Sequence, residues 1–202
     1  MPSPADLSAA LAEHAARSPE DPWLFYPEGL DWRWVSFGAL TSPALFSQAG
    51  RGGRTTWEGV LQVVYDEPAQ RELVGSGERL AARIGPPPAG RRDVVVLSGP
   101  WSEPVARSML SWSVVTGAAV VLEPEPERRV ATAAWARPTV FHGSAAEVAA
   151  LRRAAESKRK GPPFGRLRTV LLSEDDEPLA ADGAWLAERG VEIVRGALRF
   201  LR

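Results

Sequence analysis

Few residues of this chain have the type and position to carry out chemistry, and most of them follow short apolar segments. The 202 residues include two histidines and no cysteine. This excludes a disulfide framework, a thiolate zinc site and a cysteine nucleophile. His142 and Gly143 directly follow the apolar segment 139–141. An imidazole there could act as a general acid or base, but no sequence neighbour is placed to orient it, so the pattern favours a structural or pocket-lining histidine.

Polar residues also follow two other apolar segments, 93–97 and 167–172. Those that could line a pocket or an interface are Ser98, Trp101, Ser102, Glu103 and Ser173. The acidic run 174–177 could bind Mg²⁺ or Ca²⁺, but it directly precedes an apolar-periodic helix, whose N-terminal end attracts carboxylates. We interpret the run as helix capping and predict no metal site.

The sequence offers no standard phosphate-binding loop. Such a loop needs several glycines whose backbone amides can approach the anion, usually with a lysine and a hydroxyl. The pair Asp66 and Glu67 follows the apolar run 59–65, and two carboxylates repel phosphate. The tripeptide Gly75-Ser76-Gly77 lies within a helical pattern and lacks the third glycine of a dinucleotide fingerprint. We therefore predict that the chain uses no cofactor.

Charge and composition narrow the classes of partner. The 24 Lys and Arg residues nearly balance the 25 Asp and Glu residues, which excludes a broad polyanion-binding field. The basic segment 152–160 has no interleaved aromatic side chains, so we expect no nucleic acid. The longest apolar stretch, 117–122, is far shorter than a membrane span, and no secretory signal opens the chain. We expect a cytoplasmic protein, and the Arg-rich, Asn-free composition indicates a bacterial source with a high-GC genome.

The elements that must position these residues are predicted from apolar periodicity. The segment 6–17 predicts a helix, with His14 on its surface, and 23–26 with 32–37 predicts a β-hairpin. From residue 59 onward, short apolar strands alternate with helices. The predicted strands are 59–65, 93–97, 119–122, 139–141, 167–172 and 191–194; the predicted helices are 69–84, 104–116, 125–135, 144–157 and 179–189.

This alternation predicts an α/β fold with a mostly parallel sheet and helices on both faces, preceded by a helix and a short β-hairpin. We divide the chain into an N-terminal region, 1–56, packed on an α/β core, 57–202, as a single compact unit. Ligands of such sheets bind at the carboxyl ends of the strands. The polar residues that follow the predicted strands are therefore the candidate site.

Several strings, taken in order, resemble the large N-terminal domain of the adenylate-forming superfamily, which includes acyl-CoA synthetases, luciferases and peptide-synthetase adenylation domains. The stretch 7–25 is similar to the family's first helix and following strand. The stretch 96–118 resembles the family segment with a "Leu-Pro-Leu-Ser-His" turn and a "Thr-Gly-Ala" strand entry, here Thr116-Gly117-Ala118. The stretch 136–143 resembles the "Arg-Pro-Thr" strand before the acyl-pocket helix, and 165–172 resembles the next strand.

At several positions, however, the sequence departs from the family's motifs. Its Gly-rich, Lys-containing ATP loop should follow Tyr65, where Asp66–Leu73 stands instead. Its Tyr-Gly-x-Thr-Glu element should follow 191–194, and Glu103 replaces a usual aromatic residue or histidine. The sequence ends at Arg202, before the family's ribose-binding Asp and the small domain with the catalytic Lys. Because adenylation needs donors and a metal to stabilise a pentavalent phosphate, we expect an inactive relative.

Two functions remain open from the sequence. The first is a non-catalytic binding or scaffold protein that uses the old acyl pocket, around Trp101, Ser102, His142 and Ser173, or an exposed interface. Its partner would be a second copy or another chain, and its ligand a small acyl or aryl acid. The alternative is a subunit of an acid-activating ligase whose ATP loop and Lys come from another chain. A third possibility is an unrelated crossover-type α/β domain.

We predict that the chain does not activate carboxylic acids with ATP, because the segment 66–73 supplies carboxylates where the family supplies glycine amides and an ammonium group. The measurement is pyrophosphate release in the presence of ATP, Mg²⁺ and a panel of fatty and aromatic acids. We expect the background rate of a protein-free reaction. Acid-dependent turnover above that rate would contradict the prediction.

Overall fold

The computed structural model describes residues 6–28, 31–41, 60, 62–66, 68, 70–97, 104–157, 164–172 and 177–195. Its helices are α1 (Leu7–Arg17), α2 (Phe37–Leu40), α3 (Gln70–Ile84), α4 (Pro104–Thr116), α5 (Arg129–Ala136), α6 (Ala145–Ser157) and α7 (Ala180–Ala187). Its strands are β1 (Pro22–Glu28), β2 (Asp31–Ser36), β3 (Val94–Leu97), β4 (Ala119–Leu122), β5 (Val140–His142), β6 (Thr169–Leu172) and β7 (Glu192–Arg195). A π-helical turn, Gln62–Asp66, and a 3-10 turn, Pro126–Arg128, complete the described elements.

The described strands form one sheet in the order β2-β1-β4-β3-β5-β6-β7. β1 and β2 pair antiparallel as the predicted hairpin, and every other pair is parallel. The hairpin joins the same sheet, because Leu24 and Phe25 pair with Val120 and Val121 of β4. The predicted α/β class is confirmed. The carboxyl ends of the parallel strands therefore share one edge, which we call the carboxyl edge.

Apolar side chains fill both faces of the sheet, which is why its central strands read as continuous Val and Leu runs. On one face, Val95 and Val120 pack with residues of α1, α3 and α4. On the other face, Val96 and Phe141 pack with residues of α5, α6 and α7. No helix among the described residues is long and apolar enough to cross a bilayer.

One predicted strand is wrong. The run 59–65 was expected to be extended, but residues 62–66 form the π-helical turn. Short apolar runs do not distinguish a buried strand from a buried helical segment, and here Val63 and Val64 enter the core from the turn. The Tyr65 hydroxyl donates to the carbonyl of Leu40 at 2.9 Å, and burial raises the pKa of Tyr65 to about 12. Asp66 consequently does not follow a strand.

Arg168 and Asp93 form the main polar contact at the opposite, amino edge of the sheet. The Arg168 guanidinium donates to both oxygens of the Asp93 carboxylate, at 3.0 and 2.6 Å. It also donates to the carbonyls of Ile84 and Gly85, at 2.8 and 3.0 Å. Thr139 donates its hydroxyl to the same carboxylate at 2.7 Å. One bidentate pair thus connects the end of α3 to the starts of β3, β5 and β6.

Arg92 makes a second connection at the amino edge. Its Nη1 donates to the carbonyl of Pro22 at 2.8 Å, and its Nε donates to the carbonyl of Gly117. Its guanidinium also lies over the Phe37 ring, 4.8 Å from the centroid. The Arg92 side chain therefore connects the starts of β1 and β4 with the short helix α2.

The tripeptide Gly75-Ser76-Gly77 lies in the middle of α3, as the sequence predicted, and faces α4. The Ser76 and Ser108 hydroxyls are 2.8 Å apart, and the Ser111 hydroxyl donates to the carbonyl of Leu73 at 2.5 Å. A Cβ atom on Gly77 would lie 2.6 Å from the Ser111 oxygen and 2.8 Å from its carbonyl carbon. The second glycine therefore allows the two helices to approach closely.

We predict opposite effects for the same substitution at two helical glycines. Gly77→Ala should lower the free energy of unfolding by about 1–3 kcal/mol, because the new methyl group overlaps backbone atoms of Ser111. Gly183→Ala is the matched control: a Cβ atom there meets nothing within 4 Å, so helix propensity should stabilise the protein by about 0.5–1 kcal/mol. Urea denaturation measures both values. A shift of the same sign in both variants would contradict the close helix contact.

Candidate functional site

The carboxyl edge carries the two sequence-predicted pocket residues that the structure describes. His142 ends β5, and Gly143 follows it. The remaining pocket candidates and part of the predicted phosphate-loop region lie outside the described residues: Ser98, Trp101, Ser102, Glu103, Ser173 and Glu67. The backbone of Asp66 belongs to the π-helical turn. The described part of the candidate site therefore lies at the end of β5.

Ser144 and Glu147 cap the N-terminus of α6 reciprocally. The Ser144 backbone N–H donates to the Glu147 carboxylate at 2.8 Å, and the Glu147 backbone N–H donates to the Ser144 hydroxyl at 3.3 Å. This is the capping-box arrangement, which the spacing Ser-x-x-Glu makes visible in the sequence. A helix N-terminus otherwise attracts anionic ligands. Here a carboxylate of the chain itself takes that position.

Gly143 fits between its neighbours only because it lacks a side chain. A Cβ atom on Gly143 would lie 2.4 Å from a carbon of the Phe141 ring and 2.9 Å from a Glu147 carboxylate oxygen. The backbone N–H of Gly143 donates to the carbonyl of Leu171 in the neighbouring strand, at 3.2 Å. The glycine therefore lets α6 begin directly at the end of β5, with its capping carboxylate against the Phe141 ring.

Arg129, at the start of α5, brings a buried positive charge to this edge. Its side chain is only 8% exposed and contacts Glu147, with Nη1 to Oε1 at 3.1 Å. Its Nη2 donates to the carbonyl of His142, and its guanidinium lies 5.5 Å from the Phe141 ring centroid. Burial lowers the pKa of Arg129, and the carboxylate of Glu147 opposes that shift. The pair therefore neutralises itself beside His142.

A further carboxylate, that of the buried Glu123, follows β4 at the same edge. It is 1% exposed and accepts a hydrogen bond from the Thr132 hydroxyl at 2.6 Å. It also accepts one from the backbone N–H of Glu125, at 3.2 Å. Both carboxylates near the ends of β4 and β5 are thus bonded within the chain. In the described part of the chain, no three metal-ligating side chains form a group.

Sequence reasoning did not identify Arg129 or Glu147 as site residues, whereas Glu123 directly follows the predicted strand 119–122 and was among the candidate strand-end positions. The Ser-x-x-Glu spacing at 144–147 was a usable signal for Glu147. Arg129 stands between a turn and an apolar helix with no distinguishing spacing, and its contact with the end of β5 arises only when α5 packs on the sheet.

His14 is half-buried, whereas the sequence predicted that it would lie on the helix surface. Its ring stacks on Phe37, with centroids 5.1 Å apart and planes inclined by 26°, and its Nε2 lies 3.4 Å from the carbonyl oxygen of Val115. A Cβ atom on Gly117 would lie 2.7 Å from the imidazole. Burial lowers the pKa of His14, and the charges of Arg17 and Arg92 lower it further. His14 is therefore a packing residue of the amino edge.

We predict that His14 makes stability depend on pH. Because its pKa in the folded protein lies below the ordinary value of 6.5, the unfolded chain binds more protons in acid. The stabilising contribution should be complete above about pH 6.5 and be lost as the pH falls through the folded-state pKa. Urea denaturation across this range should show a weaker pH dependence for His14→Gln than for the parent protein. An identical dependence in both proteins would contradict the burial of His14.

Neither a family model nor a curated protein matches this chain by sequence. Solved structures do match its fold. CmiS6 is 15% identical with a TM-score of 0.66, over 96% of this chain and 72% of its own. MenE of Bacillus subtilis, an o-succinylbenzoate CoA synthetase solved with ATP and magnesium ion, is 14% identical with a TM-score of 0.64, over 93% of this chain and 59% of its own.

A fatty acyl CoA synthetase of Mycobacterium tuberculosis gives the same TM-score of 0.64 at 11% identity, over 93% of this chain and 58% of its own. The chain has the fold of the adenylate-forming enzymes. The resemblance stated from the sequence is thereby confirmed at the level of the adenylate-forming fold. The chain spans less than three fifths of the two synthetases, and at these identities the likeness shows the fold alone.

Proposed function

We propose that this protein is a catalytically inactive form of the adenylate-forming fold that acts as a binding or scaffold protein. The observation that carries the proposal is the internal neutralisation of charge at the carboxyl edge. Glu147 occupies the N-terminus of α6 and also neutralises Arg129. An adenylating site needs uncommitted donors for phosphate oxygens, whereas the Ser144 N–H and Arg129 Nη1 already contact the Glu147 carboxylate and Arg129 Nη2 donates to the carbonyl of His142.

The region that the sequence pointed to as a degenerate phosphate loop supports the same proposal. Residues 62–66 form a π-helical turn, and Gly75-Ser76-Gly77 packs α3 against α4. Val63 and Val64 of the turn enter the core, and Ser76 and Gly77 pack against α4. Of the two glycines that could have suggested a phosphate site, Gly77 therefore has a structural reason for its presence.

The proposed ligand is a small acyl or aryl acid, bound at the carboxyl edge beside His142 and Gly143. The polar residues after β3 and β6 would complete the pocket: Ser98, Trp101, Ser102, Glu103 and Ser173. The proposed partner is a second copy or another chain, in the cytoplasm. The N-terminal region 1–56 and the core 57–202 would act as one unit, consistent with the pairing of β1 with β4.

The alternative function is a subunit of an acid-activating ligase whose ATP loop and catalytic Lys come from another chain. The fold similarity to MenE, which was solved with ATP and magnesium ion, favours this alternative. The two functions differ in one measurable respect. A ligase subunit must bind nucleotide with its partner, whereas a binding module responds to the acid alone.

We predict that acids, but not ATP, AMP or CoA, raise the thermal midpoint of the protein. A ligand at 100 times its dissociation constant stabilises the folded state by about 2.7 kcal/mol, which corresponds to several degrees. His142→Leu should reduce the acid-dependent shift, because it removes the polar side chain at the end of β5. Glu188→Gln is the control, since that carboxylate is 75% exposed and lies beyond α7.

The outcomes separate the two functions. Stabilisation by acids that is lost in His142→Leu and retained in Glu188→Gln supports the binding module. Stabilisation by ATP contradicts it and favours the ligase subunit. The absence of any acid-dependent shift contradicts the proposed ligand class.

A further inference from the structure

Among the described strands, β2 is at the end of the sheet and pairs only with β1. In that pairing Trp34 lies opposite Phe25, and Trp32 lies opposite Pro27. Opposite residues of an antiparallel pair share a face, so these four apolar side chains project from one side of the hairpin. Trp34 is 55% exposed.

Trp135 of α5 extends this apolar surface. Its ring stacks on Trp32, with centroids 5.0 Å apart and planes inclined by 23°, yet Trp135 is itself 56% exposed. We call Trp32, Trp34 and Trp135 the tryptophan surface. An exposed aromatic surface on the end strand of a sheet favours pairing with another strand.

The other face of β2 carries alternating charges. Asp31 and Arg33 are two residues apart and exposed, and Arg33 Nε lies 2.8 Å from a carboxylate oxygen of Glu28, itself 62% exposed. When two copies of β2 run antiparallel with Trp32 opposite its own copy, Asp31 of each copy lies opposite Arg33 of the other. Opposite charges in such positions stabilise a strand pair, and like charges destabilise it.

The neighbouring registers lack this complementarity. A two-fold axis at Arg33 places two guanidinium groups directly opposite each other. An axis at Trp34 places Arg33 opposite Val35. Of these three registers, only the one centred on Trp32 sets opposite charges against each other, and because β2 begins at Asp31 it pairs residues 31–33 of the two copies. The stacked Trp32 and Trp135 of one copy then lie next to the same pair of the other copy.

We propose that the start of β2 is the interface of a homodimer, in which residues 31–33 of two copies pair antiparallel about a two-fold axis at Trp32 and so connect the two sheets. The occupant of the tryptophan surface is a second copy, because the charges of β2 are complementary to the same segment reversed. This deepens the partner named under the proposed function and does not depend on the acid site.

The complete absence of cysteine allows a direct test of the register. Paired Cα atoms of antiparallel strands are about 4.5–5.5 Å apart, within the range that a disulfide spans. Under oxidation, Trp32→Cys should therefore give a covalent dimer in high yield. Trp34→Cys is the matched control: it also removes one indole, but position 34 is displaced by two residues on each strand, roughly 13 Å from its copy, and should remain uncrosslinked.

A charge-exchange experiment tests the same interface without cysteine. Asp31→Arg and Arg33→Asp, made separately, each set like charges opposite one another. Each should raise the dissociation constant of the dimer at least about fourfold, as measured by sedimentation velocity. An equal mixture of the two variants should associate more tightly than either alone, because the arginines of one chain then face the aspartates of the other. Thermal unfolding verifies that both variants are folded.

A strictly monomeric protein across the micromolar range would overturn the proposal. Disulfide formation that is stronger at position 33 or 34 than at position 32 would overturn the register. A monomer whose tryptophan fluorescence responds to a proline-rich peptide would assign the tryptophan surface to peptide binding instead. Acid-dependent thermal stabilisation of a monomeric variant would show that the proposed function holds while the dimer interface fails.

Discussion

The arrangement of the sheet depends on the buried ion pair between Arg168 and Asp93. Isolated, either charge would be costly to bury. The bidentate geometry, the hydroxyl of Thr139 and the two carbonyls at the end of α3 satisfy both groups together. Because the starts of β3, β5 and β6 are fixed at one edge, their ends are aligned at the other. The relative positions of the strand ends at the carboxyl edge, where His142 lies, therefore depend on this contact.

The two edges of the sheet use arginine differently. At the amino edge, Arg92 and Arg168 donate to backbone carbonyls and so connect elements. At the carboxyl edge, Arg129 is bonded to Glu147, the residue that also caps α6. The charge of the buried Arg129 side chain is thus neutralised by Glu147, although its Nε has no hydrogen-bond partner among the described residues. We propose that a ligand is recognised there through His142, which suits a binding module rather than phosphate chemistry.

The hairpin gives the protein a second exposed feature that is independent of the carboxyl edge. β1 is integrated into the sheet through β4, whereas β2 presents indoles on one face and alternating charges on the other. Among the described residues, the interior of the sheet is therefore covered on both faces, whereas β2 pairs on one side only. A ligand site at the carboxyl edge and an interface at β2 can coexist because they lie on different boundaries of the same sheet.

The sequence by itself determined the alternation of strands and helices after residue 93, since apolar periodicity and Gly or Pro breaks are local signals. It also placed His142 and Gly143 at a strand end. It was wrong about 59–65 and about His14, because an apolar run or a helical histidine acquires its environment only from distant elements. The tertiary structure alone decided the contacts of Arg129 and the neighbours of Gly77. Those contacts join residues far apart in the chain, where no local spacing carries the information.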